Sequence, residues 1–138
     1  MGAERRIAYC GEKFKIAFAG DRDGVYPAEE FFDQLPPGEK AKLMNLFRIF
    51  GDQGNHANRE KFGDLGDGLY EFKSFQVRMP FAYVKNEKGT VIISHGFIKQ
   101  SQESAKAGIL RARSIIKEDS AAPNVCAINE NNTKRKRQ

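Results

Sequence analysis

"LYEFKSFQVRMPFAYVKNEKGTVIISHGF" (Leu69–Phe97) decides the fold. Two apolar-rich runs, 69–75 and 77–85, abut with almost nothing between them, so a tight turn or bulge lies near Gln76. "NEKG" (86–89) is a hairpin turn, and "TVIISHGF" (90–97) follows as a third strand. Period-two alternation puts Leu69, Glu71, Lys73 and Phe75 on one face of the first run, and Tyr70, Phe72 and Ser74 on the other. Arg78 shares a face with Pro80, Ala82 and Val84. His95 shares one with Val91, Ile93 and Phe97. Pro80 cannot donate to a ladder, which marks an edge, a bulge or an outward position.

Outward from this core, "SAKAGILRARSIIK" (104–117) carries Ile109, Ala112 and Ile116 on one helical side, with Ser104 as N-cap and Gly108 as a weak point in its middle. Upstream, 13–19 alternates as a strand with Phe14, Ile16 and Phe18 inward. "PAEEFFDQL" (27–35) reads as a short helix with Pro27 in its first turn. "PGEKAKLMNLFRIF" (37–50) is a second helix, with Leu43, Leu46, Phe47 and Phe50 toward the core and Gly51 as its stop. Residues 51–68 read as a polar, glycine-rich loop. The order β, α, α, loop, β, β, β, α gives an α+β domain with a small, mainly antiparallel sheet. Residues 1–119 form the domain, and 120–138 a disordered basic tail ending in "KRKRQ".

The 138 residues suffice for one core, built mostly from 11 Phe in the absence of Trp. Nothing reaches the length of a membrane span, and a cytoplasmic protein is expected. Cys10 and Cys126 lack metal-site spacing and read as separate thiols in a reducing compartment. With His56 and His95 the only histidines, a histidine-rich metal site is excluded. No metal or cofactor is expected. The net charge of +5 is uneven. Segment 21–39 holds one Arg against six carboxylates; 97–117 holds five Lys or Arg against Glu103 alone. A basic surface fits a polyanion, and it equally fits a solvated helix face.

If the strand register gathers Glu71, Lys73, Arg78 and His95, cations sit beside groups able to move a proton. That set suits phosphodiester cleavage by a 2′-hydroxyl. The same residues also read as a cross-strand ion pair with a structural histidine, and chemistry alone favours that reading.

The stretch "GDGLYEFKSFQVRMPFAYVKNEKGTVIISHGFIKQSQESAKAGILRA" resembles the core of phage-derived HigB-like toxins of the RelE/ParE superfamily. The matching positions are Gly68, Leu69, Tyr70, Glu71, Lys73, Arg78, His95, Gly96, Phe97, Lys99, Arg111 and Ala112, over about residues 64–113. The resemblance implies a RelE-like fold, two N-terminal helices and a C-terminal helix on the sheet. It implies the toxin of a type II toxin–antitoxin pair, cutting mRNA on the ribosome without a metal. Its partners would be ribosome, mRNA and a cognate antitoxin, often a helix-turn-helix protein. Arg78 takes the catalytic position, with Lys73 and Lys99 as phosphate-binding cations and Glu71 or His95 assisting proton transfer. Arg59, Lys61 and Arg111 are further RNA contacts. Departures are visible: Lys73 stands where arginine is usual and loses its bidentate fork, Gln100 replaces a lysine, and Pro80 replaces an aliphatic residue. Two other readings keep the fold. One is a non-catalytic, ParE-like inhibitor of DNA gyrase. The other is a catalytically silent nucleic-acid binder.

Overall fold

The computed structural model describes residues 5–54, 58 and 60–121. The chain forms β1 (Arg6–Cys10), β2 (Lys15–Phe18), α1 (Pro27–Asp33), α2 (Pro37–Gln53), β3 (Phe62–Gly66), β4 (Leu69–Ser74), β5 (Val77–Tyr83), β6 (Thr90–Ile93), β7 (Phe97–Ile98) and α3 (Gln102–Ala121). The strands make one sheet in the order β1-β2-β6-β5-β4-β3, with β7 beside β5. β2 runs parallel to β6 and every other pairing is antiparallel. This is an α+β architecture, consistent with a RelE-like fold. No helix among the described residues is long and apolar enough to cross a membrane.

α1 and α2 cover one face of the sheet, and phenylalanine fills the space between. Phe50 from α2 meets Phe81 and Phe72 edge-on at centroid distances of 5.1 and 5.8 Å, while Phe72 and Phe81 stack at 4.3 Å. Edge-to-face and offset pairs of this kind suit the ring quadrupole. The other face is thinner. There α3 sets Ala112 and Ile115 against Leu69, Ala82, Ile7, Ala17 and Ile92.

Five local expectations are corrected. Residues 6–10 are a strand; a register shift between Ile7 and Tyr9 breaks the period-two pattern that would have revealed it. Residues 62–66 are the edge strand β3, hidden by its glycines and aspartate, which are poor strand formers. Gly51 does not stop α2. The helix runs through it to Gln53 and ends at Gly54, which is left-handed at φ +67°. The third strand is two. β6 ends at Ile93, and β7 then pairs with the other half of β5. Finally, Ser104 is not the N-cap of α3. Ser101 is, and the two serines exchange bonds in a capping box: Ser104 N–H donates to Ser101 Oγ and Ser101 N–H to Ser104 Oγ.

The β6–β7 break also explains Pro80, which is central and fully buried rather than at an edge. Its carbonyl accepts the Ser94 N–H at 2.8 Å. Its missing donor therefore faces the gap between two strands, where the ladder is already interrupted.

Of the residues singled out in the termini and the loop, His56, Arg59, Cys126 and the tail from 122 lie outside the described residues. α3 itself runs two residues past the expected boundary at 119. Cys10 has no disulfide partner among the described residues.

Gly108 has a packing reason. A Cβ there would stand 2.3 Å from the Phe97 ring. Helix propensity favours alanine over glycine by about 1 kcal/mol. Overpacking at such a contact costs about 1–3 kcal/mol. Gly108→Ala is accordingly expected to lower the urea midpoint despite its better propensity; a raised midpoint would show that Phe97 gives way freely.

Candidate nucleic-acid interface

The β4–β5 hairpin turns on two residues, Phe75 and Gln76, because Ser74 pairs with Val77. That register sets Lys73 directly opposite Arg78 and Glu71 opposite Pro80. On the other side of β4, Phe62 pairs with Phe72, and Lys73 N–H donates to the Lys61 carbonyl at 2.8 Å. Lys73 and Arg78 thus lie side by side on β4 and β5, on the face that carries α3, and Lys61, the turn residue before β3, comes next to Lys73 in the backbone register. Strands are about 4.8 Å apart, and like charges at that spacing repel.

Behind this row sits Glu71. Its side chain is 13% exposed, and Arg78 Nε stands 4.0 Å from its Oε2. Burial pushes the Glu71 carboxyl above its ordinary range, against the opposing pull of Arg78, Lys73 and Lys99. The neighbouring strand makes room for it. A Cβ on Gly63, the partner of Glu71 in β3, would fall 2.9 Å from Glu71 Oε2.

Arg78 is held as well as placed. Its Nη1 donates to the carbonyls of Phe75 at 2.5 Å and Val77 at 3.0 Å, and its side chain is largely buried. Lys99 is fixed through its backbone. Its N–H donates to the Gln76 carbonyl at 2.7 Å, and its carbonyl accepts from Gln76 Nε2 at 2.8 Å. The β4–β5 turn and the chain after β7 are therefore tied together, and that tie brings the charge of Lys99 to Glu71.

His95 is not part of this group. Alternation placed it with Val91 and Ile93, but the strand has ended before it. The imidazole is buried, exchanges a hydrogen bond with Ser94 Oγ at 3.0 Å, and stacks on Phe97 at 5.4 Å. Phe97 in turn rests on Gly108 of α3. Arg111 is exposed beside them, lining a cleft of about 420 Å³ with His95, Phe97 and Ser104. Burial first, then the charge of Arg111, lowers the His95 pKa to about 4. Such a ring is neutral at physiological pH. It is a strut under β7, and Phe97 is its companion.

The sign of its pH effect follows. The folded pKa lies below the 6.5 of an exposed imidazole, so the unfolded chain takes up a proton that the folded chain refuses. Stability from this group is complete above pH 6.5 and is lost as pH falls toward 4. Urea unfolding at pH 7.5 and pH 5 is expected to show a smaller fall for His95→Gln than for the native chain. Equal falls would place the loss elsewhere.

Sequence reasoning named Lys61 as an RNA contact and put Phe75 on the Glu71 face, without the placement that the structure gives either. Lys61 belongs to the cation row, which shows only once β3 is recognised as a strand. Phe75 stands in the turn and not on the Glu71 face.

The fold and the site together make a small α+β domain with neighbouring cations and a largely buried carboxyl on one sheet face. A family model described as "Phage derived protein Gp49-like (DUF891)" matches residues 30–117, a span that contains the whole site. The chain belongs to that family, which falls within the RelE/HigB-like toxin group in general. Among curated proteins none matches the chain.

Proposed function

We propose that this is a HigB-like toxin of a type II toxin–antitoxin pair that cleaves mRNA on the ribosome. The observation that carries the reading is the row Lys61, Lys73 and Arg78 with Glu71 beside it. Lys73 directly opposite Arg78 is a like-charge pair that Glu71 offsets in part and a polyanion across it would offset further, and a carboxyl with a raised pKa is a stronger base nearer neutral pH.

In the proposed reaction a ribose 2′-hydroxyl attacks the adjacent phosphorus and gives its proton to the Glu71 carboxylate. Arg78 and Lys73 stabilise the negative charge that builds on the phosphoryl oxygens. The P–O5′ bond breaks, and the leaving oxygen takes a proton from the Glu71 carboxylic acid or from water. The products are a 2′,3′-cyclic phosphate and a 5′-hydroxyl. Lys61 and Lys99 hold flanking phosphates. The cognate antitoxin, a helix-turn-helix protein in this reading, silences the toxin by covering the cation face.

A purified translation reaction with a defined mRNA, mapped by primer extension, tests this. Cuts are expected only with ribosomes present. The rate should rise with pH through a midpoint above the ordinary value of 4.5 for a glutamate. Glu71→Gln is expected to slow cleavage about 10²–10⁴-fold and to remove that pH limb. Intact mRNA at toxin excess overturns the nuclease reading.

A further inference from the structure

Among the described residues Phe75 is the one exposed phenylalanine, with 72% of its surface accessible. Its position is unusual in a second way. It occupies the first place of a two-residue hairpin at φ +54°, a conformation that Asn, Asp or Gly adopts far more easily than an aromatic residue. Neither packing nor turn chemistry calls for phenylalanine there. The ring is nonetheless held. Lys42 Nζ of α2 stands 4.1 Å from the ring centroid, a cation–π distance. Arg78 grips the Phe75 carbonyl. Gln76, the next residue, clamps the chain at Lys99. An exposed aromatic plane is thus fixed at the tip of the hairpin whose strands carry Lys73 and Arg78.

We propose that Phe75 is a base-stacking platform for single-stranded RNA. An unpaired base lies on the ring while Lys73 and Arg78 hold the phosphates next to it. Flat aromatic faces interleaved with cations suit single-stranded nucleic acid, since every base presents a π-face and every linkage a charge. Lys42 sets the ring orientation and adds a further cation. This deepens the RNA reading above and rests on it. A protein partner's apolar side chain is the rival occupant, but Lys42 at the ring and Lys73 and Arg78 in the strands behind the turn favour a polyanion.

The chain contains four tyrosines but no tryptophan, so Phe75→Trp installs a single tryptophan at the proposed platform, which can be excited selectively at wavelengths beyond tyrosine absorption. Titration with a short single-stranded RNA is expected to quench it. An abasic strand of equal length and charge should bind by fluorescence anisotropy of a labelled strand without quenching. In the translation reaction Phe75→Leu is expected to lose roughly 5- to 150-fold in cleavage, while Phe75→Tyr and Phe75→Trp keep most of it. A leucine that served structure alone would behave like phenylalanine, and equal urea midpoints for all four proteins confirm that folding is not the readout. RNA binding without quenching, no RNA binding at all, or native cleavage by Phe75→Leu each overturns the proposal. If the native chain cuts mRNA and only the Phe75 signals fail, the nuclease reading stands alone. If the native chain does not cut, that reading falls and the quench decides whether a base stacks here.

Discussion

Arg78→Ala is expected to slow single-turnover mRNA cleavage by about 10²–10³-fold, the usual loss when one preorganised donor to a developing oxyanion is removed. Arg78 lies opposite Lys73 at the centre of the cation row, and Glu71 stands 4.0 Å from its Nε. One substitution therefore strikes two functions. It removes a charge from the phosphate, and it removes the first-ranked counter-charge to the raised pKa of Glu71. With burial unchanged and that cation gone, the Glu71 pKa should climb further. The pH limb of the residual activity is then expected to move to higher pH than in the native protein. An arginine remote from Glu71 would not produce that shift, and only one that also meets the phosphate would produce the loss of rate with it. The Arg78 side chain is largely buried and bonds the Phe75 and Val77 carbonyls, so a stability loss of about 1–3 kcal/mol should accompany the change, and rates are compared on protein shown to be folded. Arg78→Lys should recover part of the rate, since charge remains while the forked geometry is lost. Native-rate cleavage by Arg78→Ala with normal ribosome binding would falsify its catalytic role.

The parts of this fold that were legible in sequence are those where the local pattern survives. β4, β5 and β6 read as short apolar-rich runs set off by turn signals, and the four core residues of α2 fall at helical spacing, all buried as expected. What stayed hidden has a local cause in each case. A bulge obscured β1, and glycine obscured β3. The β6–β7 break was invisible because Ser94, His95 and Gly96 can extend a strand as well as end one. That break decided the site. Carried across it, alternation put His95 on the face of Val91 and Ile93 and left its meeting with Glu71 to the register; in the structure it lies under α3 against Phe97. Lys73 and Arg78 were found because a two-residue turn leaves their register little freedom. Lys61 was suspected only as a loop cation, since its alignment with Lys73 depends on the unseen strand. Phe75 was assigned to a face by the same alternation that fails at any turn.

Asp119→Ala is expected to cost about 3–5 kcal/mol of stability, the range for breaking one partner out of a buried ion pair. Asp119 is 2% exposed in the last turn of α3. A carboxylate is out of place there, because the helix C-terminus already carries partial negative charge, and no basic residue occupies that turn. The compensation comes from far away in the chain. Asp119 Oδ2 accepts from Arg5 Nε at 3.1 Å and Nη2 at 2.8 Å, and Oδ1 accepts from the Gly20 N–H at 3.2 Å. Arg5 also pairs with Glu87 in the β5–β6 turn. One carboxylate thus ties the end of α3 to the residue before β1, to the end of β2 and, through Arg5, to a hairpin. Alanine leaves the Arg5 guanidinium buried with Glu87 alone and the Gly20 N–H without that acceptor. Domains of this size have about 5–15 kcal/mol in total, so the variant should unfold at much lower urea. Asp119→Asn should cost less, since an amide oxygen still accepts from Gly20. The double variant Asp119→Ala with Arg5→Met should recover part of the loss, because removing both charges also removes the desolvated orphan. A cost below about 1 kcal/mol for Asp119→Ala, or no recovery in the double variant, would show that this pair is a bystander to α3 packing. Activity links to the same anchor. α3 holds Phe97 through Gly108, and Phe97 opens the strand that leads to Lys99. A frayed α3 should therefore weaken cleavage through Lys99 before the sheet itself unfolds, and cleavage rates at urea concentrations below the unfolding transition will show whether activity is lost first.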